Sequence, residues 1–215
     1  MSEVEFEAWP STPRLYRNMV ITEKIDGTNA CIIVSRLTPF DDSADWSDSA
    51  GVVLVDGVTY RVSAQSRKRL ITPEDDNFGF AAWVRSRAAE LAGFLGEGRH
   101  FGEWWGKGIQ RGYDRDTRTF SLFNVERWDD KENNRLGWPD GLSVVPVLCR
   151  HTFNENKIHE VKAQLWASGS VAAPGYANPE GIIIWHQAAR AKFKSTFDEF
   201  DLTGGKTWQK EEVSA

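Results

Sequence analysis

The sequence predicts a mixed α+β fold with largely antiparallel sheets. Short apolar segments with the alternating or continuous pattern of strands dominate the chain, and only two stretches have helical periodicity. Strands and helices also do not alternate regularly, as they would in a parallel, doubly wound sheet. With 215 residues, of which 40% are hydrophobic and 27% charged, the chain is long enough to bury a core.

Short turn sequences separate the first predicted strands. Asp26-Gly27 and Asp56-Gly57 each follow one apolar segment and precede another, and the second pair is typical of a two-residue β-hairpin. Bounded in this way, the apolar segments have the length expected of strands. In chain order, the predicted strands are residues 19–25, 29–36, 52–55, 58–62, 101–105, 120–125, 144–148, 181–185 and 192–196.

Two helices are predicted from apolar residues that recur at helical spacing. The first spans about residues 79–95 and ends before Gly96, a residue type that favours helix C-termini. The second spans about residues 157–166. The inward-facing residues are Phe80, Trp83, Val84, Leu91, Phe94 and Leu95 in the first helix and Ile158, Val161 and Leu165 in the second.

The charge of the chain is acidic overall but unevenly distributed. A formal net charge of -5 argues against a protein coated in nucleic acid. Basic residues nevertheless gather in a few places, so an acidic chain of this kind is compatible with one basic face. They are Arg67, Lys68 and Arg69, then Lys107, Arg111, Arg115 and Arg118, and then Arg190, Lys192 and Lys194.

Several classes of protein are disfavoured by what the sequence lacks. No apolar run approaches the roughly 20 residues that span a bilayer. Residues 1–10 are acidic and have no apolar signal core, so we expect a cytoplasmic protein. No Gly-x-x-x-x-Gly-Lys-Ser/Thr sequence occurs, so an ATP site in this chain is not expected to be of the P-loop kind.

A lysine at the first predicted turn is the candidate nucleophile. Lys24 lies near the end of the predicted apolar strand of residues 19–25, and Asp26-Gly27 directly follows that strand. The pattern Lys-x-Asp-Gly is short, and by itself it fits a solvated lysine beside a hairpin turn better than a nucleophile. The residues further along the chain decide between these interpretations.

Later segments place polar side chains within apolar or aromatic strands. Glu103 lies in an aromatic strand, and Phe123 lies near the end of the next one. Glu180 precedes a buried apolar strand. Lys192 and Lys194 fall on one face of the last strand, because side chains alternate along a strand.

In this order the segments resemble the motifs of the covalent nucleotidyltransferase superfamily, which includes ATP-dependent DNA and RNA ligases and mRNA capping enzymes. Residues 23–29 (Glu-Lys-Ile-Asp-Gly-Thr-Asn), 101–103 (Phe-Gly-Glu) and 108–110 (Gly-Ile-Gln) are most similar to the RNA ligase 2 and RNA-editing ligase branch. The resemblance covers residues 21–195. It implies an ATP-grasp-like adenylation domain of antiparallel sheets with flanking helices.

The resemblance implies a ligase that acts through a lysyl-AMP intermediate. Lys24 would attack the α-phosphorus of ATP and expel pyrophosphate, the AMP would pass to a 5′-phosphate end, and a 3′-hydroxyl would then attack that end. Attack requires the neutral amine. Cations supplied by Lys192, Lys194 and Mg²⁺ (or Mn²⁺) would disfavour the ammonium form, whereas an arginine in place of Lys24 would stay protonated.

Each further role is also implied by the resemblance. Glu180 would be the metal ligand, Glu103 would accept a ribose hydroxyl, and Phe123 would stack on adenine. Arg67 would meet a phosphate or nucleic-acid end, although it also fits a solvated basic run, just as Phe123 also fits a core position. The catalytic set is Lys24, Lys192 and Lys194, and the nucleotide-binding set is Glu23, Lys24, Ile25, Asn29, Arg67, Glu103, Phe123, Glu180, Lys192 and Lys194.

The expected partner is a nucleic acid with 5′-phosphate and 3′-hydroxyl ends, RNA more than DNA, in RNA repair. Only about twenty residues follow Lys194, so we expect residues 1–215 to form one minimal domain without a separate C-terminal OB or helical domain. A partner protein would then supply additional grip. The alternatives are a DNA ligase of the same fold, a GTP-using capping enzyme, which the extended first motif fits less well, and a non-catalytic nucleic-acid or nucleotide-binding module.

Overall fold

Two β-sheets with flanking helices make up the part of the chain that the computed structural model describes, residues 4–38, 51–128 and 137–197. The strands are β1 (Asn18–Lys24), β2 (Thr28–Arg36), β3 (Gly51–Val55), β4 (Val58–Ser66), β5 (Leu70–Ile71), β6 (Gly98–Gly106), β7 (Arg118–Leu122), β8 (Leu142–Val144), β9 (Val147–Thr152), β10 (Gly181–His186) and β11 (Ala191–Thr196). The helices are α1 (Phe80–Ser86), α2 (Ala88–Leu95), α3 (Val125–Trp128) and α4 (Glu155–Ser168), with a single 3₁₀ turn at Gly112–Asp114.

The pairing of the strands is almost entirely antiparallel. The small sheet has the order β11-β10-β1-β9. The large sheet has the order β3-β4-β2-β6-β7-β8, with β5 paired to β4. The β7–β8 pair is parallel, and the other described pairs are antiparallel. The predicted mixed α+β fold with largely antiparallel sheets is therefore confirmed.

Helices α1 and α2 cover one face of the large sheet. Val62 stands opposite Val34, which is two residues from Ile32, so Ile32 and Val62 point to the same face and meet Phe80 and Leu91 from the helices. All four side chains are completely buried. Burial of each contributes about 1.5–3 kcal/mol, which makes this cluster a main source of stability for the sheet.

The small sheet separates two further clusters of buried residues. Ile21 and Ile184 pack against α4 on its outer face. On its inner face Val20 belongs to a cluster that also contains Trp105 from the large sheet and Tyr113 from the 3₁₀ turn. This inner cluster joins the two sheets, and β1 contributes to the clusters on both sides of it.

The first predicted helix is correct in extent but is interrupted. A single helix over residues 79–95 was expected, whereas α1 and α2 are separated at Arg87, whose φ is −124°. The Ser86 hydroxyl donates to the Trp83 carbonyl at 2.8 Å, which competes with the backbone bonds of a continuing helix. The helix ends before Gly96 as predicted.

One predicted strand is divided in the structure, and another is shortened. Residues 144–148 were expected to form one strand, but Pro146 cannot donate to a sheet, and the segment divides into β8 in the large sheet and β9 in the small sheet. The strand predicted over residues 120–125 stops at Leu122, and α3 begins at Val125. The remaining predicted strands are present with shifts at their ends.

Two expectations concern properties beyond this fold. Among the described residues, no helix combines the length and the apolar character that crossing a membrane requires, and the expected cytoplasmic location stays a prediction. The residues after position 197, on which the expectation of no separate C-terminal domain depends, lie outside the described residues.

Gly102 in β6 leaves no room for a side chain. A Cβ atom there would lie 2.5 Å from the Ser121 carbonyl oxygen and 2.7 Å from the Phe120 ring. We expect Gly102→Ala to lower the free energy of unfolding by about 1–3 kcal/mol, because the buried ring has to shift. Urea denaturation followed by tryptophan fluorescence would measure the change.

Gly93 provides the matched control for this substitution. It lies inside α2, where a Cβ would be 3.4 Å from its nearest neighbour, an ordinary contact. Gly93→Ala should therefore raise the free energy of unfolding by about 0.5–1 kcal/mol through helix propensity alone. Equal effects of the two substitutions would contradict this description of β6.

Candidate active site

A cavity of about 710 Å³ opens between the two sheets beside the end of β1. Side chains from β1, β10 and β11 line it on one side, and side chains from β2, β6 and the end of β7 line it on the other. Seven of the ten predicted nucleotide-binding residues are in its lining: Glu23, Lys24, Ile25, Asn29, Glu103, Phe123 and Lys192.

The alternation of side chains along β1 points Lys24 into this cavity. Thr22 and Lys24 share the inner face of the small sheet, whereas Ile21 on the opposite face packs against α4. In the antiparallel pairing with β10, Lys24 stands opposite Gly181, so Glu180 immediately precedes its partner position. Strand register alone therefore brings two predicted site residues together that are far apart in the sequence.

Lys24 and Glu180 form a close ion pair. The Lys24 Nζ donates to the Glu180 Oε2 at 2.6 Å, and the two side chains are 24% and 16% exposed. A charge-assisted hydrogen bond in such a partly buried place is stronger than the ion pairs typical of protein surfaces. The predicted nucleophile and the predicted metal ligand are thus in direct contact.

The turn after Lys24 is pressed against β6. A Cβ atom on Gly27 would lie 2.5 Å from the Trp104 carbonyl oxygen and 2.8 Å from the Trp105 Cβ, so only glycine fits. The Asp26 backbone N–H donates to the Tyr113 hydroxyl at 2.7 Å. The sequence Asp-Gly therefore has a steric and hydrogen-bonding reason at this position, beyond its general preference for turns.

Arg111 and Tyr113 are site residues to which the sequence assigned no role. The Arg111 Nε donates to the Asp26 carboxylate at 3.1 Å, and its Nη1 donates to the Asn178 carbonyl at 3.5 Å. The Tyr113 ring lies 4.8 Å from the ring of Tyr176. Both residues thus connect the turn after Lys24 to the segment that leads to Glu180.

The sequence contained only an indirect signal for these two residues. Both lie within three residues after positions 108–110, the Gly-Ile-Gln sequence on which the family resemblance partly depends. Tyr113 adopts a left-handed conformation with φ of 53°, which is uncommon for a large side chain and has no recognisable sequence pattern. Burial raises the pKa of its hydroxyl far above the ordinary value, so the group stays neutral.

The carboxylate of Glu23 is engaged away from Lys24. It accepts hydrogen bonds from the Ser170 hydroxyl at 2.6 Å and from the backbone N–H groups of Val171 and Ala172 at 2.8 and 2.9 Å. Glu23 is 1% exposed, and burial raises the pKa of its carboxyl while these hydrogen bonds oppose the rise. The side chain fastens the loop after α4 to β1, and its predicted nucleotide contact remains untested.

Glu103 lies across the cavity from the small sheet. It pairs in register with Asn29 on β2, which places both predicted residues on the same sheet face. Burial raises the pKa of the Glu103 carboxyl to about 7, opposed by the Lys24 ammonium and helped by the negative charge of Glu180. Near neutral pH this group is able both to donate and to accept a hydrogen bond.

Aromatic and cationic side chains close the other end of the cavity. The Lys192 Nζ lies 6.0 Å from the centre of the Phe123 ring and 5.8 Å from that of Trp185. Lys192 is opposite Trp185 in register, and Lys194 is opposite Ile183, so both lysines lie on the inner face of the small sheet. Phe123 is half-buried at the cavity wall, as a ring that stacks on a flat ligand would be.

Three of the ten predicted residues, Arg67, Glu180 and Lys194, are not in the cavity lining, and Ile25, which is in the lining, also belongs to the core. Arg67 is in the exposed turn between β4 and β5 and is not part of the cavity lining. Ile25 is buried between the sheets, in the cluster with Trp105 and Tyr113. Their predicted roles toward a nucleotide stay predictions.

The donor set suits a magnesium ion that is shared with a phosphate. Among residues 4–38, 51–128 and 137–197, no three histidine, cysteine or acidic side chains are grouped so as to hold a metal. Mg²⁺ commonly binds through one or two carboxylates and completes its shell with water and phosphate oxygens. The single carboxylate of Glu180 fits that mode.

The chain matches the family model described as RNA ligase over residues 17–203. No curated protein matches it significantly. Among solved structures it is similar to variants of a Naegleria gruberi RNA ligase.

One of these variants, with AMP and manganese, has a TM-score of 0.55 at 18% identity, covering 85% of this chain and 50% of that chain. Another variant, with ATP and manganese, has a TM-score of 0.54 at 17% identity, with 85% and 50% covered. An apo variant has a TM-score of 0.54 at 18% identity, with 84% and 50% covered.

These likenesses confirm the nucleotidyltransferase-type fold expected from the sequence. The chain spans about half the length of the solved ligases that it matches. The expected organisation of residues 1–215 as one minimal domain stays a prediction, as do the individual site residues.

The raised pKa of Glu103 leads to a pH-dependent prediction. Its carboxyl has a pKa of about 7 in the folded chain against an ordinary 4.5, so between these values the folded state holds a proton that the unfolded state has lost. The resulting cost to stability is absent below about pH 4.5 and complete above about pH 7. We expect Glu103→Gln to raise the free energy of unfolding at about pH 8 by about 1–3 kcal/mol, and the gain to shrink on acidification.

Chemical denaturation at a series of pH values would measure this difference. The control is Glu97→Gln, which removes an exposed carboxylate from the loop before β6 and should show no such trend. A gain from Glu103→Gln that is constant from acid to alkaline pH would contradict the assignment.

Proposed function

We propose that this chain, which belongs to the RNA ligase family, catalyses the ATP-dependent joining of 5′-phosphate and 3′-hydroxyl ends through a lysyl-AMP intermediate. The observation that carries the proposal is that Lys24, which is paired with Glu180 at 2.6 Å, lines a cavity together with Glu103, Phe123 and Lys192. A nucleophile, a carboxylate, an aromatic surface and a cation thus converge on one space.

In the proposed first step the Lys24 Nζ attacks the α-phosphorus of ATP. A P–N bond forms, the P–O bond to pyrophosphate breaks, and pyrophosphate leaves. Attack requires Lys24 to leave its ion pair with Glu180 and to lose a proton, because an ammonium group has no lone pair. Lys192 and Lys194 on the same sheet face would offset the charge that develops on the phosphates.

The nucleoside part of ATP would be oriented by the remaining residues of the cavity. Phe123 offers a half-buried ring for the adenine, and Glu103 is placed to pair with a ribose hydroxyl. Mg²⁺ or Mn²⁺ bound through Glu180 would neutralise phosphate charge. The Naegleria gruberi RNA ligase variants solved with AMP or ATP and manganese support this choice of nucleotide and metal.

Two further steps complete the proposed reaction. The oxygen of a 5′-phosphate attacks the lysyl-AMP phosphorus, the P–N bond breaks, and an adenylated end forms. A 3′-hydroxyl then attacks the phosphorus of that end, a phosphodiester bond forms, and AMP leaves. The match to the RNA ligase family favours RNA ends over DNA ends. We also propose that the reaction serves RNA repair in the cytoplasm. Because the net charge of the chain is -5, we propose in addition that a partner protein helps to hold the substrate.

The first test is covalent labelling of Lys24. The folded chain, shown by mass spectrometry to carry no AMP beforehand, is incubated with α-labelled ATP or GTP and Mg²⁺ and run on a denaturing gel. We expect label from ATP in the wild-type chain and none in Lys24→Ala or Lys24→Arg. Lys157→Arg, which alters an exposed ion pair on α4, should label normally.

Two results of this experiment would contradict the proposal. Wild-type labelling of Lys24→Arg would place the nucleophile elsewhere. A folded wild-type chain that takes up no label would leave a non-catalytic binding module as the better description.

A second test decides between RNA and DNA as the substrate. The labelled wild-type chain is freed of ATP and mixed with nicked duplexes whose broken strand is RNA or DNA and whose sequence is the same. We expect the sealed RNA product to appear faster, because the family match is to RNA ligases. Faster sealing of the DNA nick would make the chain a DNA ligase of the same fold.

A further inference from the structure

An exposed aromatic ring lies beside the nucleotide cavity. Phe101 is 44% exposed although β6 is an inner strand with β2 and β7 on its two sides. It precedes Glu103 by two residues, so both side chains are on the cavity face of the large sheet. Phe101 is also adjacent to Phe123, whose backbone N–H donates to the Phe101 carbonyl at 2.9 Å.

A cation and an amide continue this face of the sheet. Arg99 is exposed two residues before Phe101, and its Nη1 donates to the Gln65 Oε1 at 2.9 Å. In register, Gln65 and Phe101 both stand opposite Cys31, and Arg99 stands opposite Ile33. We call Phe101, Arg99, Ile33 and Gln65 the outer strip.

The outer strip is continuous with the cavity that contains Lys24. Both Arg99 and Phe101 contribute to the cavity lining and are also exposed beyond it. Side chains at neighbouring positions of paired strands have Cβ atoms about 4.5–5.5 Å apart. Phe101 and Phe123 are therefore neighbours across the paired strands, and both contribute to the cavity lining.

We propose that the outer strip binds an unpaired segment of the RNA next to the end that is joined, with one base stacked on Phe101 and a backbone phosphate on Arg99. This inference deepens the proposed function and rests on it. If the adenine of the nucleotide occupies Phe123, a flat group on the neighbouring ring has to come from the other substrate, which is the polynucleotide.

The chemistry of the strip favours an unpaired strand over a duplex. A base inside a duplex has both faces covered by its neighbours, so it offers no surface to Phe101, whereas an unpaired base does. Stacking on an aromatic side chain and ion pairing with a nearby cation are together typical of single-strand binding. Arg99 supplies a local positive charge on a chain whose net charge is -5.

The test measures RNA affinity of the full chain without ATP. A short 5′-phosphorylated single-stranded RNA with a 3′ fluorophore is titrated, and its anisotropy gives Kd. We expect Phe101→Leu to raise Kd about five- to 100-fold, because the apolar bulk remains but the stacking ring is lost, and Phe101→Tyr to restore binding. Arg99→Gln should reduce the magnitude of the slope of the log association constant against log salt concentration by about 0.7.

Phe193→Ala is the matched control. Phe193 is 55% exposed, but it stands opposite Ile184 on the α4 face of the small sheet, away from the cavity. The RNA affinity of the Phe193→Ala variant should equal that of the wild-type chain. A blunt duplex of the same sequence should bind with no dependence on Phe101.

Four results would overturn the inference. They are wild-type RNA affinity in Phe101→Leu, an equal loss in Phe193→Ala, no measurable RNA binding by the wild-type chain, and a Phe101→Leu effect on the ATP concentration for half-maximal labelling that exceeds the effect on RNA. The last result would place Phe101 in the nucleotide site instead. Phe101-dependent RNA binding by a chain that never labels Lys24 would refute the proposed function and leave the outer strip as a single-strand binding surface.

Discussion

The ion pair between Lys24 and Glu180 is the interaction on which the site depends. It exists because β1 and β10 pair antiparallel with Lys24 opposite Gly181, so the last residue of one strand meets the residue before the other. Gly27 has no side chain and so allows the turn after Lys24 to pack closely against β6. The hydrogen bonds of Arg111 to Asp26 and Asn178 connect this turn to the segment before Glu180. Each of these contacts reduces the number of positions that the lysine amine can take.

Charge in this protein is arranged by strand face. Lys24, Lys192 and Lys194 are on the inner face of the small sheet, while Glu103 projects from the large sheet opposite them. Desolvation of Glu103 raises its pKa to about 7, so the negative charge that faces the lysines from the large sheet is reduced at neutral pH. An acidic chain can in this way keep a cationic surface where phosphates are expected.

The sequence predicted what depends on local pattern and chain order. Strand periodicity located β1, β2 and β10, and the order of short motifs selected Lys24, Glu103 and Glu180. The structure places Lys24 and Glu103 in one cavity and Glu180 in contact with Lys24. Contacts between distant segments were not predictable. The hydrogen bond from Arg111 to Asn178 joins residues that are 67 positions apart in the sequence. The apolar pattern of β1 likewise does not indicate where the buried carboxylate of Glu23 finds its hydrogen-bond partners.

The pairing of β1 on both sides has a consequence for how the gene can vary. Adjacent positions in this strand carry opposite charges, with Lys24 facing the cavity and Glu23 facing the loop after α4. An in-frame deletion or insertion of one codon within β1 would exchange these two faces, because side chains alternate with a period of two. The Glu23 carboxylate would then face the cavity in place of the Lys24 amine. The Lys24 amine would face the loop after α4, where Ser170 now donates a hydrogen bond to Glu23. Length variation in this family is therefore expected in the loops and not in this strand.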